Sequence, residues 1–232
     1  MNLQSKAFTP RIIIQMLFFI VIIPLFPLLI TWQWDWWEAW VYAAFGILGF
    51  IISRALVARR HPDLLAERAR FTQQADAKPW DKLLAPLVGL GGGLIPLAAG
   101  LDVLLSGGLA LGLPVKIAAI TVIFAGYMLG SYALLENRFF SGMVRIQTER
   151  DHHVISSGPY RWMRHPGYAG ALLTYLATPF LLDSAWAFLA VAFLTTVLVI
   201  RTRLEDTTLQ AELPGYHEYA QRVRYRLLPG IW

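Results

Sequence analysis

Apolar residues run in long blocks along this chain, separated by short clusters that hold nearly all of its charge. The blocks cover about residues 11–33, 38–58, 83–105, 114–136, 168–182 and 184–201. A bilayer core takes roughly 20 apolar residues per helix, so the pattern predicts a multi-pass bundle of about six transmembrane helices. The last two blocks are short and meet at Asp183 and Ser184, which predicts a tight C-terminal helical hairpin. The first block, "IIIQMLFFIVIIPLFPLLITW", is too long for a signal-peptide core and has no small-residue cleavage site, so it is read as a span.

Composition agrees with that pattern. Of 232 residues, 56% are hydrophobic and 15% are charged, whereas soluble domains hold about 25% charged residues. The expected fold class is an all-α integral membrane protein. The net charge of +5 does not point to nucleic acid, because the basic residues sit in short loops rather than on one soluble face. With no cysteine, disulfides, thiolate nucleophiles and cysteine metal sites are excluded; no metal is expected.

The basic residues also alternate in side. Lys6 and Arg11 precede the first block, and Arg59, Arg60, Arg68, Arg70, Lys78 and Lys82 follow the second. Arg138, Arg145, Arg150, Arg161 and Arg164 follow the fourth, and Arg201, Arg203, Arg222, Arg224 and Arg226 follow the sixth. The intervening turns hold only Lys116. By the positive-inside rule both termini lie on the cytosolic side, and the expected location is the cytoplasmic membrane of a prokaryote.

Several motifs read as structural. "WQWDWWEAW" (32–40) suits an aromatic belt at the outer interface. "GLGGG" (89–93) lies inside an apolar span and is no nucleotide loop. Gly89/Gly93 and Gly126/Gly130 have the GxxxG spacing of closely packed helices. Asp102 is expected to reach water at the outer end of its span. "RRHPDLLAERAR" (59–70) has the spacing of an amphipathic surface segment.

From residue 137 the chain changes character, through "NRFFSGMVRIQTERDHHVISSGPYRWMRHPGYAG" and on to "RTRLED" after the hairpin. If the hairpin returns to its starting side, Arg201 and Glu205 emerge beside residues 152–168. They are four apart and share a helix face. Such a pair is often only a surface salt bridge worth a few tenths of a kcal/mol, about 0.3–0.5.

The ordered set is more specific than its parts. Gly158-Pro159-Tyr160, then Arg164-His165-Pro166-Gly167-Tyr168, an apolar hairpin, Arg201 with Glu205, and the terminal "LPGYHEYAQRVRYRLLPGIW" resemble the isoprenylcysteine carboxyl methyltransferase family. That family is itself similar to the membrane phospholipid methyltransferases. The resemblance covers roughly residues 137–232. It implies a division into an N-terminal transmembrane bundle (1–136) and a methyltransferase region (137–232) with a cytosolic cofactor pocket. It also implies S-adenosylmethionine (SAM) as cofactor and a lipophilic or prenylated acceptor entering from the bilayer. By position, His152, His153, Val154, Ile155, Tyr160, His165, Pro166, Gly167, Tyr168 and Glu205 would line the cofactor pocket. Arg201 would meet the substrate, and Arg201 with Glu205 would be the catalytic pair.

The residue chemistry is compatible with those roles. Tyr160 or Tyr168 offers an aromatic face to a sulfonium, worth about 0.5–2 kcal/mol, and Glu205 a partner for the ammonium. His165 or the amides around 153–155 suit the carboxylate or adenine edge. Arg201 could grip an acceptor carboxylate with two hydrogen bonds. Asp206 stands where the family pattern usually has a second glutamate, which leaves its role open. Competing readings are phospholipid N-methylation, small-thiol S-methylation, an NADPH-dependent sterol-type membrane reductase, and a non-enzymatic membrane protein.

Overall fold

In the computed structural model, residues 17–69, 74 and 76–232 are described. Among them are nine α-helices and no strand. These are α1 (Phe26–Thr31), α2 (Trp37–Arg60), α3 (Pro62–Ala69), α4 (Asp81–Gly91), α5 (Leu94–Ser106), α6 (Leu113–Glu136), α7 (Pro166–Leu181), α8 (Ala187–Glu212) and α9 (Tyr216–Arg222).

Among the described residues, four stretches are long and apolar enough to cross a membrane: α2, α4 with α5, α6, and α8. The other two predicted spans are shorter, for local reasons. A π-helical turn, Phe18–Ile22, is separated from α1 at residues 23–25, where Pro27 has no N–H to give Ile23. Residues 11–16 of that predicted span, with Lys6, Arg11 and Arg70, lie outside the described residues. Helix α7 has 16 residues, about 24 Å at 1.5 Å per residue, against a core of roughly 30 Å. Its partner α8 is longer than predicted. No Pro or Gly interrupts 187–213, and α8 ends only where Leu213 turns extended before Pro214. The helices α4 and α5 part at Gly92-Gly93, where Pro96 cannot donate to the Gly92 carbonyl.

Close backbone approach joins α6 to α7. A Cβ on Gly126 would lie 2.6 Å from the Gly170 carbonyl, and one on Gly170 would lie 2.6 Å from that of Gly126. Small residues drive such contacts in membranes, where lipid competes with side chains for apolar surface. Gly89 makes no such contact; a Cβ there meets open space.

At one end of the bundle, Trp32, Trp34, Trp37 and Trp40 are exposed, as an interfacial belt requires. Lys116 bridges Glu38 to Asp183 at the hairpin tip, with 2.7 Å to the latter. Asp102 departs from expectation. It does not reach water but is 2% exposed, accepting from Ser184 Oγ at 2.9 Å and the Trp186 amide at 3.0 Å. Its carboxylate satisfies donors at the start of α8, where a helix leaves amides unpaired and favours negative charge.

The basic loops gather at the opposite end. Asp63 holds Arg138 at 3.2 Å and Arg150 at 2.5 Å, while Arg145 holds Glu67 and Asp76 at 2.9 and 2.8 Å. Lys78 reaches Glu212 at 2.6 Å. The exposed pairs among these contribute little singly, but together they stitch the loop after α2 to the loop after α6. Short α3 buries Leu64 against Val57 and Leu134, as an amphipathic segment should.

Candidate functional site

Loop 137–147, the extended run 152–155, the turn Gly158–Arg161, the start of α7, the end of α8 and α9 enclose one cavity. It holds about 770 Å³ of empty space, part of it open to solvent, within the range of small-molecule sites. Every lining residue falls between 137 and 219.

Local sequence explains how the walls stand. Gly158 turns the chain with φ +54°, and a Cβ there would sit 3.0 Å from Tyr132 Oη; an L-residue would be strained. Pro159 follows, and buried Tyr160 is held by Asn137 Nδ2 at 3.2 Å. Tyr219 Oη donates to the Tyr160 carbonyl at 2.7 Å, fixing α9 to the turn. Pro166 starts α7, where its missing N–H costs no helical bond. Gly167 admits the ring of Phe140, which would lie 2.4 Å from a Cβ. The amides of Arg164 and His165 donate to the carbonyls of Tyr225 and Arg226 at 2.9 Å each, so the C-terminal tail runs beside the Arg-His-Pro motif.

Two buried aspartates fix the positions of the cations. Asp206, 0% exposed, accepts from Arg164 Nε and Nη2 at 2.6 and 2.8 Å and from Arg226 Nε at 2.9 Å. Gln210, Tyr216 and His165 add contacts at 2.9, 3.2 and 3.3 Å. It is absent from the cavity wall. The role left open by the sequence is therefore structural: this acid locks α7, α8, α9 and the tail together. Asp81, also 0% exposed, accepts Arg201 Nε and Nη2 at 2.7 and 3.0 Å and the Val144 amide at 2.6 Å.

Tyr168 Oη donates to Glu205 Oε2 at 2.5 Å. The Tyr168 ring stacks on His165 at 5.8 Å and lies 5.3 Å from the Arg201 guanidinium. One cluster thus contains Asp81, Arg201, Tyr168 and Glu205.

Of the predicted cofactor residues, His152, His153, Val154, Ile155, Tyr160, His165, Gly167, Tyr168 and Glu205 line the cavity, as does Arg201. Pro166 does not; it is buried at the start of α7. The expected two-bond grip of Arg201 on an acceptor is not free to form as placed, because Asp81 occupies Nε and Nη2. Nη2 also donates to the Gly142 carbonyl at 3.0 Å. Nη1 donates to no described residue and is the donor left over. His152 accepts the Gln147 amide at Nδ1, 3.3 Å away. Burial, followed by the charges of His153, Arg145 and Arg150, pushes its pKa down to about 4, so it is neutral near pH 7. Among the described residues the amides of 153–155 donate to no protein acceptor. The sequence pattern did not single out Asp81, Asn137, Gln147, Tyr216 or Tyr219; only "GYHEY", with two tyrosines three apart, carried a signal.

Residues 117–211 match the model of the isoprenylcysteine carboxyl methyltransferase (ICMT) family. The chain is 32% identical to protein-S-isoprenylcysteine O-methyltransferase B of Arabidopsis thaliana over 109 residues, 45% of this chain and 54% of that protein. It is 30% identical to the probable protein-S-isoprenylcysteine O-methyltransferase of Oryza sativa subsp. indica, over 47% of this chain and 59% of that one. It is also 33% identical to the Delta(14)-sterol reductase TM7SF2 of Mus musculus, over 40% of this chain and 23% of that protein. The matched stretches thus span little more than half the length of the two methyltransferases. The matched residues contain the motifs from Gly158 to Glu205, while the terminal segment 213–232 lies beyond them.

Proposed function

We propose that the protein is an integral membrane methyltransferase that moves a methyl group from SAM to the carboxylate of a lipophilic acceptor. The observation that carries this reading is the convergence of Tyr168, Glu205 and Arg201 on one cavity within the segment that matches the methyltransferase family.

The residues fit the donor. SAM presents a sulfonium, an ammonium, a carboxylate and an adenine. Glu205 supplies negative charge for the ammonium. Tyr160 is the better aromatic face for the sulfonium, since Tyr168 already neighbours the Arg201 cation. The unengaged amides of 153–155 suit the carboxylate or adenine edge, and neutral His152 adds no charge to repel the sulfonium. When bound, SAM supplies an electrophilic methyl group on positively charged sulfur.

The protein's task is then positioning. A carboxylate is ionised at neutral pH and needs no base; alignment beside the methyl group can lower the barrier by several kcal/mol, within the ~7–11 available from proximity. Arg201 Nη1, held in place by the Asp81 fork, orients one acceptor oxygen. An amine or thiol would need a base. Glu205 already accepts a hydrogen bond from Tyr168, and His165 faces Asp206, which favours the carboxylate. Against NADPH, the cavity's Arg145 and Arg164 are already committed to carboxylates, and Arg201 has only Nη1 unengaged among the described residues, a poor match for a multiply charged phosphate.

Six spans, with the cavity and both termini cytosolic, remain the proposed topology. The grouping of basic loops at the cavity end supports it, and α7 would complete the hairpin as a short fifth span. The division at 136/137 is supported by a cavity wall drawn wholly from residues beyond it. Thermal unfolding in detergent tests the donor. S-adenosylhomocysteine, but not NADPH, raises the midpoint, as ligand linkage requires. Labelled-methyl transfer from SAM into a membrane lipid extract then identifies the acceptor; a base-stable labelled amine would overturn the carboxylate.

A further inference from the structure

On α8, Leu189, Phe193, Thr196 and Ile200 recur every three or four positions and are all exposed, so they form one lipid-facing stripe. Arg203 is the next residue on that stripe and its first charged one, and it is exposed as well. A cation that ends an apolar stripe stands where hydrocarbon gives way to headgroups.

Two further segments place cations beside apolar rings at the same end. In the turn before α7, Arg161 is exposed next to Trp162, which is 63% exposed. In the tail, Arg224 is exposed next to Tyr225, and Ile231 follows as another exposed apolar side chain. Backbone joins the two segments, because the amides of Arg164 and His165 donate to the carbonyls of Tyr225 and Arg226. Arg164 and Arg226 are spent on Asp206. By contrast, the guanidiniums of Arg161, Arg203 and Arg224 have no hydrogen-bond, carboxylate or ring partner among the described residues. No exposed acid offsets them nearby: Glu205 is partly buried, Asp206 is buried, and the tail from 223 contains neither Asp nor Glu. Unspent positive charge among exposed apolar rings is the composition of a surface that seats itself at an anionic interface.

The same segments stand against the first-described cavity. Leu227 is buried against Met163, Ala169, Leu172 and Leu198, and Tyr168 packs on that cluster. Arg164 Nη1 donates to the carbonyls of Val223 and Arg224 at 2.7 and 3.0 Å. Arg164, His165 and Tyr168 all line the cavity.

We infer that Arg161, Arg203 and Arg224 receive the headgroup phosphates of anionic phospholipids, with Trp162 and Tyr225 seated among them, and that a bilayer bound there holds the tail against the cavity wall. The headgroup surface stands on exposure and charge alone, whereas its effect on the cavity rests on the proposed donor site. Guanidinium suits phosphate because it donates two parallel hydrogen bonds, and each basic residue near an anionic surface strengthens association by about fivefold. A lipid that favours the tail-bound wall also favours any ligand that needs that wall, and the coupling is reciprocal.

The test uses the full-length protein in nanodiscs of phosphatidylcholine, alone or in equimolar mixture with phosphatidylglycerol, with spin-labelled forms of both lipids to report selectivity. The wild type is expected to prefer phosphatidylglycerol by about fivefold or more. Arg161→Gln with Arg203→Gln and Arg224→Gln should lose most of that preference. Arg59→Gln, which removes an exposed cation from the end of α2, should keep it. Equal retention of the two lipids by the wild type, undiminished preference in the triple variant, or an equal loss in Arg59→Gln overturns the inference. So does displacement of phosphatidylglycerol by inorganic phosphate, which would assign the arginines to a soluble anion. S-adenosylhomocysteine binding is measured in the same discs. Its dissociation constant should be about threefold lower with phosphatidylglycerol in the wild type. In the triple variant it should stay at the wild type's phosphatidylcholine value in both discs. Donor affinity indifferent to phosphatidylglycerol while the lipid preference persists overturns the link to the cavity. No S-adenosylhomocysteine binding in either disc overturns the methyltransferase reading and leaves the headgroup surface standing.

Discussion

Arg201 and Asp81 lie 120 residues apart and grip each other through two parallel hydrogen bonds of 2.7 and 3.0 Å. Both are buried, so removing either leaves the other as an uncompensated charge, at a cost of about 3–5 kcal/mol. Asp81→Ala and Arg201→Ala should each lower the thermal midpoint sharply. The double variant Asp81→Leu with Arg201→Met should recover much of that loss without recovering methyl transfer. An Asp81→Ala protein that melts with the wild type and keeps full activity would show that the pair does not position Arg201.

Asp206 leads to a different expectation, because its partners lie in four elements. Asp206→Asn removes the charge that Arg164 and Arg226 share, again leaving buried cations at a cost of about 3–5 kcal/mol. The tail from residue 223 onward should then become cleavable by trypsin in the folded protein, at Arg224 and Arg226, before the rest is lost. Asp206→Glu adds a methylene where the site is fully buried and should not restore protection. A tail equally resistant in Asp206→Asn would mean that the backbone contacts at Arg164 and His165 suffice.

Helix content and the place of the cavity are legible in the sequence because both depend on near-neighbour patterns. The apolar blocks gave α2, α6 and α8, and Arg-His-Pro-Gly-Tyr marked the cavity wall because two ring-bearing residues, a glycine and a proline rarely interrupt an apolar run without cause. The lengths of α7 and α8 were less legible. The signal for α8 to continue past Arg201 is the absence of a breaker, and charged residues at its end mimic a boundary. Asp81 and Asp102 were misread or passed over because their partners are remote. A carboxylate near either end of a helix looks the same in sequence whether it meets water or buried donors from a distant element. Asp206 was recognised as an acid out of pattern, but its six contacts come from residues up to 42 positions away, beyond any local reading.

The Tyr168–Glu205 bond predicts a split between donor affinity and folding. Tyr168→Phe removes one hydrogen bond to a charged group, worth about 1.5–3 kcal/mol, while keeping the ring that packs on His165 and beneath Arg201. Glu205, freed from its donor, would turn away from its place in the wall. The dissociation constant for S-adenosylhomocysteine should rise by about tenfold or more, with a thermal midpoint of the unliganded protein within a few degrees of wild type. Unaltered affinity would place the ammonium of the donor elsewhere in the cavity.

His152 gives the pH dependence a definite sign. Its pKa falls from the ordinary 6.5 to about 4, first through burial and then through His153, Arg145 and Arg150. The neutral ring keeps Nδ1 free to accept the Gln147 amide. Below pH 6.5 the unfolded chain therefore takes up a proton that the folded one refuses. Stability from this group is fully present above pH 6.5 and declines as pH falls through the window down to about 4. Carboxylates held low by arginines, Asp63 and Glu149 among them, lose their own contribution as well when acid protonates them, so the raw curve mixes several groups. The difference between wild type and His152→Gln isolates the histidine, since glutamine can still accept from Gln147 but does not titrate. Unfolding midpoints measured from pH 8 to 4 should run parallel above 6.5 and diverge below it, the wild type falling faster. Parallel curves throughout would mean that His152 keeps its ordinary pKa and that its ring is solvated in the folded protein.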